Sequence, residues 1–158
     1  MTRLTAVEID DTGLPPPTPA IEQERRMAIF DLLEENSFDL PARGGVAPPP
    51  GPYRLMLSIR DRRLVFDISG TVGRVAEVHL SLGPFRQVVK DYFQICESYF
   101  EAVKLLPPGQ IEAIDMARRG IHNEGARLVR ERLDGKVLLD DGTARRLFTL
   151  ICVLHWGA

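Results

Sequence analysis

Between Tyr53 and Leu82 the chain alternates apolar and polar residues in three successive runs, and this pattern constrains the fold more than any other feature. Leu55, Leu57 and Ile59 share one side of an extended strand. Leu64, Phe66 and Ile68 do the same after the two-residue connection Asp61-Arg62, and Ala76, Val78, Leu80 and Leu82 after the turn at Gly70 to Gly73. A period of two puts alternate side chains on one face of a sheet, and a two-residue connection joins antiparallel neighbours. The segment predicts a three-stranded antiparallel β-meander with one apolar face, and with Glu77, His79 and Ser81 on the other. An apolar face must be covered, so the expected fold is α+β in two layers, with helices packed on one face of the meander.

The helices follow in sequence. From Pro84 to Leu105, residues Phe85, Val88, Val89, Tyr92, Phe93, Cys96, Tyr99, Phe100 and Val103 recur at helical spacing, and this helix is expected to lie across the sheet with its aromatic stripe in the core. A second helix is expected from about Gln110 to Leu133, with Ile111, Ile114, Ala117, Ile121 and Leu128 on its buried side. Thr143 to Trp156 reads as a helix capped by Thr143, although Phe148 to Trp156 is apolar nearly all round and rich in strand formers. Upstream, residues 1–17 read as a short edge strand and a Pro-rich connector, and Thr18 caps a helix with Pro19 at its first position that stops near Asn36. The 41–52 segment holds five prolines and three glycines and reads as a surface loop, because too little chain precedes it for an independent core. The 1–158 chain is accordingly read as one domain.

Charge narrows the function classes. The formal net charge is −2, split between nine acids and four bases in residues 1–50 and thirteen acids and sixteen bases in the remainder. No whole-chain field draws in nucleic acid or an anionic membrane. The N-terminus has no apolar segment of signal-peptide type, and the longest apolar run, Leu147 to Leu154, is too short to span a bilayer. A cytoplasmic setting is expected, with Cys96 and Cys152 both unpaired and buried.

Catalytic and cofactor motifs are missing: there is no Gly-rich phosphate loop, paired CxxC, HExxH or GxSxG. A zinc site from Cys96, Cys152 and His155 is conceivable, but two core thiols explain those positions without a metal. The one dense set of polar groups is Ala117-Arg118-Arg119-Gly120-Ile121-His122-Asn123-Glu124-Gly125-Ala126, which holds two glycines inside a predicted helix. Each glycine weakens a helix interior by ~1 kcal/mol relative to alanine, so either a site or close packing requires them. At helical spacing Asp115, Arg118 and His122 share one edge of the buried stripe, and Arg119 and Asn123 form the adjacent row. Glu124 points nearer the buried side, towards an arginine on another element.

Two readings of that cluster stay open. In one, the protein is a small enzyme or binding protein for an anionic metabolite, phosphorylated ones included: Asp115 holds His122 as an imidazolium, these two being the catalytic candidates, and Arg118, Arg119, Asn123 and Glu124 complete the pocket. In the other, the cluster is structural and the protein is a non-catalytic binding or regulatory module that meets a protein partner through an open edge or polar face of the sheet. No cofactor or metal is expected in either. Direct nucleic-acid binding has no basic-aromatic patch behind it, and the oligomeric state is left open.

Taken together, PYRLMLSIRDRRLVFDIS, SLGPFRQVVKDYFQICESYFEA, QIEAIDMARRGIHNEGARLVRERLDGK and TARRLFTLICVLHW resemble the hallmarks of an uncharacterised alphaproteobacterial protein family, over about Thr18 to Trp156. The resemblance implies a bacterial, cytoplasmic protein and carries no catalytic residue, cofactor or activity with it. Gly83 stands where the family pattern leads one to expect a serine, a difference that touches helix capping alone.

Overall fold

The computed structural model describes residues 2–155. In chain order the elements are β1 (Leu4–Ile9), α1 (Pro19–Glu34), β2 (Phe38–Asp39), β3 (Tyr53–Arg60), β4 (Arg63–Ser69), β5 (Arg74–Ser81), α2 (Arg86–Leu105), α3 (Pro108–Arg132), β6 (Leu138–Leu139) and α4 (Asp141–His155). A short 3-10 turn, Gly83–Phe85, leads into α2.

The expected meander is present as β3, β4 and β5, in antiparallel register with Leu57 opposite Phe66 and Phe66 opposite Val78. Asp61 and Arg62 close the first hairpin in the left-handed region, at φ 52° and 62°, the conformation that matches the twist of two paired strands. Leu55, Leu57 and Phe66 are fully buried, as the alternation requires. The sheet is not a pure meander, however. β1 pairs parallel with β3, so the four-stranded order β1-β3-β4-β5 is mixed. A parallel neighbour needs a crossover, and the chain supplies it with α1, whose Ala28 and Leu32 join the same core. The N-terminal strand is an edge strand as read. Its outer edge is closed by Asn36, whose Oδ1 accepts from the Leu4 amide and whose Nδ2 donates to the Leu4 carbonyl. The sequence reads as extended over Lys136 to Leu139, and β6 lies there; its antiparallel pairing with β2 in a second, two-stranded sheet is not predicted by the pattern. Two residues per strand are too few to show a period.

The helical layer differs from expectation in which helix is central. α4 takes that place: Ala144, Leu147, Phe148, Leu150, Ile151, Cys152 and Leu154 are all almost fully buried. A helix that is apolar on every side has to be surrounded, and α1 and α3 flank it. The open question over Phe148 onward is settled as helix up to His155, and Trp156 lies outside the described residues. Thr143 is not its cap. Asp140 Oδ1 accepts from the Thr143 amide at 2.8 Å, and Thr143 Oγ1 instead accepts from the Ser37 amide at 2.8 Å, tying the helix start to β2.

With α4 in the centre, α2 cannot lie across the sheet. It packs along α3 as an antiparallel hairpin, and only Val88, Val89 and Ala102 along it are buried. Beyond about Gln94 the two helices form an arm with Ala102 as its one buried residue up to Gly120.

Candidate binding site

The glycines of α3 have different reasons. A Cβ placed on Gly125 would lie 2.4 Å from the ring of Phe148, so this glycine exists to let a fully buried ring of α4 rest on the α3 backbone. A Cβ on Gly120 meets no described atom within 4 Å. Close packing therefore accounts for the first glycine, and nothing in the structure explains the second.

The predicted polar cluster divides between two sides of α3. Asp115 is half-buried and is held by two arginines of its own helix: Arg118 Nη2 donates to Oδ1 at 3.0 Å, and Arg119 Nη2 lies 3.0 Å from Oδ2. Arg118 also lies over the ring of Tyr99, 4.6 Å from its centroid, where a cation is attracted by the π face. His122 does not join this carboxylate. Its ring meets Tyr92 edge-on at 5.1 Å and Phe148 at 6.1 Å, and the charges around it are the guanidinium groups of Arg118 and Arg145. Burial first, and then these two cations, push the imidazole below its ordinary value, which favours the neutral ring. The expectation of an imidazolium held by Asp115 is thereby corrected: desolvation and like charge replace the carboxylate.

Asn123 faces the other way, accepting from Arg145 Nη2 of α4 at 2.9 Å. Glu124 is exposed and bound by Arg127 of its own helix, at 2.6 and 3.1 Å, which corrects its expected orientation towards the core. Asn123 lines a cavity of about 580 Å³ with Arg127, Arg130 and Arg145. That hollow is no open anion site, since Arg127 is engaged by Glu124 and Glu131, and Arg130 by Asp141. Asp115, His122 and the arginines thus do not converge on one pocket.

A different site lies on the α2 side. Tyr92, Phe93, Tyr99 and Phe100 of α2, with Val153 of α4, form the apolar floor of a groove of about 670 Å³. Glu24 of α1 and Glu97 and Glu101 of α2 stand around it, and Arg118 is its one basic lining residue among the described residues. Cys96 opens onto this groove and is only half-buried, contrary to expectation, whereas Cys152 is buried as expected; both thiols are free. Burial raises both thiols above their ordinary value, so neither is a ready nucleophile.

The sequence pattern assigned this aromatic stripe to the core, and so did not show the groove. A stripe from Phe85 to Val103 runs the whole ~30 Å of a 20-residue helix. That is more than the core beneath can cover. Its distal part remains bare, with Phe100 70% and Val103 54% exposed, and Leu105 at the end of α2 and Met116 of α3 are exposed as well. The zinc alternative falls partly on His155, whose side chain lies outside the described residues. Among the described residues no group of three or more His, Cys, Asp or Glu is placed to hold a metal ion. No helix among them is long and apolar enough to cross a membrane.

Comparison with known proteins places the chain. The model of an uncharacterised protein family (UPF0262) matches residues 1–157. A UPF0262 protein of Dinoroseobacter shibae is 72% identical over 159 residues, covering all of both chains. Relatives from Ruegeria pomeroyi and Cereibacter sphaeroides are 72% and 73% identical over 158 residues, covering 99% of this chain and 98% and 100% of theirs. No solved structure matches. These relatives are alphaproteobacterial, as the hallmark segments led one to expect, and their names assign no activity. The chain belongs to the UPF0262 family of uncharacterised proteins.

Proposed function

We propose that the protein is a single-domain, non-catalytic binding or regulatory module that docks another polypeptide on the α2–α3 arm. One observation carries this reading: an apolar, aromatic-floored groove framed by Glu24, Glu97 and Glu101 and continuing into exposed apolar side chains of the arm. Aromatic side chains anchor protein interfaces, and a frame of carboxylates selects a partner whose apolar anchors are flanked by Lys or Arg. The proposal places this association in the cytoplasm, in keeping with two free thiols. The reading as an anion-binding enzyme has less support, because Asp115 is occupied by two arginines and His122 is packed between aromatic rings.

The test is quantitative capture from the native source with the wild-type chain and with Glu97→Lys/Glu101→Lys, two exposed changes that reverse the frame. The proposal expects one stoichiometric protein with the wild type, at least ~10-fold less with the variant. Equal recovery with both chains, or none with either, overturns it.

A further inference from the structure

We infer that the polypeptide docked on the arm is a second copy of this chain, a refinement that rests on reading the arm as a docking surface. Area is the first argument. The chain exposes 9342 Å² for a mass of 17.7 kDa, whereas a compact monomer of that mass exposes about 7,900 Å². The excess of about 1,400 Å² is shared by the arm, the 10–18 connector and the 41–52 loop, and the arm is the part of it that carries a cluster of large apolar side chains, against the ~800 Å² each partner gives up in a standard interface. Apolar side chains are concentrated on the arm, towards its tip at the α2–α3 turn. Phe100, Val103, Leu105, Leu106 and Met116 are all exposed there, a density that marks an interaction surface.

Charge is the second argument, and it favours self-association over an unlike partner. The groove frame is acidic on α2 at Glu97 and Glu101, while α3 carries Arg119, 75% exposed and sharing Asp115 with Arg118. A two-fold axis presents the same patch twice, so each acidic edge can meet the other copy's basic edge. Crossed arms then place Phe100 of each chain in the groove of the other, with Arg119 against the opposing Glu97 and Glu101. The result is a four-helix layer built from two hairpins.

The experiment is solution mass by sedimentation equilibrium of the full chain from about 1 µM to about 1 mM, a span that resolves strong and weak dimers. The wild type is expected at twice 17.7 kDa. Phe100→Glu, at an exposed position, is expected to weaken association at least ~100-fold with the far-ultraviolet circular dichroism unchanged. Arg119→Glu and Glu97→Lys/Glu101→Lys are each expected to self-associate weakly and to pair with one another when mixed. A wild-type mass of 17.7 kDa at ~1 mM overturns the inference, as does a dimer indifferent to all three changes. Capture separates this failure from failure of the docking reading: a monomer that still holds an unlike protein, lost with Phe100→Glu, refutes only the second copy. A monomer that captures nothing refutes both.

Discussion

Replacing Gly125 by alanine puts two opposite effects in competition. The helix itself gains, since alanine is preferred over glycine in a helix interior by ~1 kcal/mol. Against this, the new Cβ sits 2.4 Å from Cγ and Cδ1 of Phe148, where carbon atoms normally approach to ~3.5–4.0 Å, so the ring or the helix must retreat by more than ~1 Å. Phe148 has no free direction, being fully buried and packed edge-on to Tyr92 at 5.9 Å and His122 at 6.1 Å. Overpacking of this kind costs ~1–3 kcal/mol, and a forced retreat of more than ~1 Å with no free direction belongs to the upper part of that range, ~2–3, so the net loss after the helix gain is ~1–2 kcal/mol, or roughly 2–8 °C in Tm for a chain of this size. Gly120→Ala is the control on the same helix: with no described atom within 4 Å of its Cβ, it keeps the propensity gain and raises stability by ~0.5–1 kcal/mol. Urea denaturation and calorimetry of both variants read the sign directly. Combining Gly125→Ala with Phe148→Leu should shrink the cost of the alanine, because the clash is with that ring. Two variants of equal stability, or a Gly125→Ala protein more stable than wild type, would refute the packing argument.

Other outcomes follow from single contacts. His122 is held neutral in the folded chain with its value below the ordinary 6.5, so the unfolded state takes up the proton first. Stability associated with it is complete above about pH 6.5 and is lost as pH falls through the folded value; His122→Leu should therefore flatten the decline between about pH 7 and 5, measured by urea midpoints. Asp11→Ala strips the carboxylate from the nearly buried Arg25, whose Nη1 donates to it at 2.8 Å and whose Nε has no partner among the described residues. Because Asp11 is largely exposed, the loss is discounted to about 1–2 kcal/mol, and Arg25→Met should cost less than Asp11→Ala in the same thermal assay. Arg62→Gly relieves a left-handed residue in the β3–β4 turn and should add ~0.5–1 kcal/mol, read from the denaturation midpoint.

The meander was legible because Leu55, Phe66 and Val78 each stand in a period-two run with its turn residues at hand. Thr18 and Pro19 opened α1 as read, with Thr18 Oγ1 accepting from the Ile21 amide at 3.2 Å. What escaped is tertiary. Nothing local in Leu4 to Ile9 specifies a parallel neighbour about 48 residues away, and β2 with β6 is too short to carry a pattern. The hierarchy among helices was misjudged for a related reason. An apolar stripe tells that a helix seeks cover, not which helix wins the central place, and α4 won it by being apolar all round. The division of the polar cluster was not legible, because spacing put Asp115, Arg118 and His122 on one edge without showing that Arg119 closes over Asp115 and that Tyr92 meets His122. The same stripe that was read as core supplies the groove floor.

Photocrosslinking in the native host tests most directly whether the arm is a binding surface. A photoactivatable residue at Val103, on the arm, is compared with one at the fully exposed Val72, at the tip of the β4–β5 turn. The account predicts one dominant protein adduct from position 103, identified by mass spectrometry, abolished by Phe100→Glu and missing at position 72. Adducts of equal yield at both positions, or an adduct at 103 that survives Phe100→Glu, would contradict it.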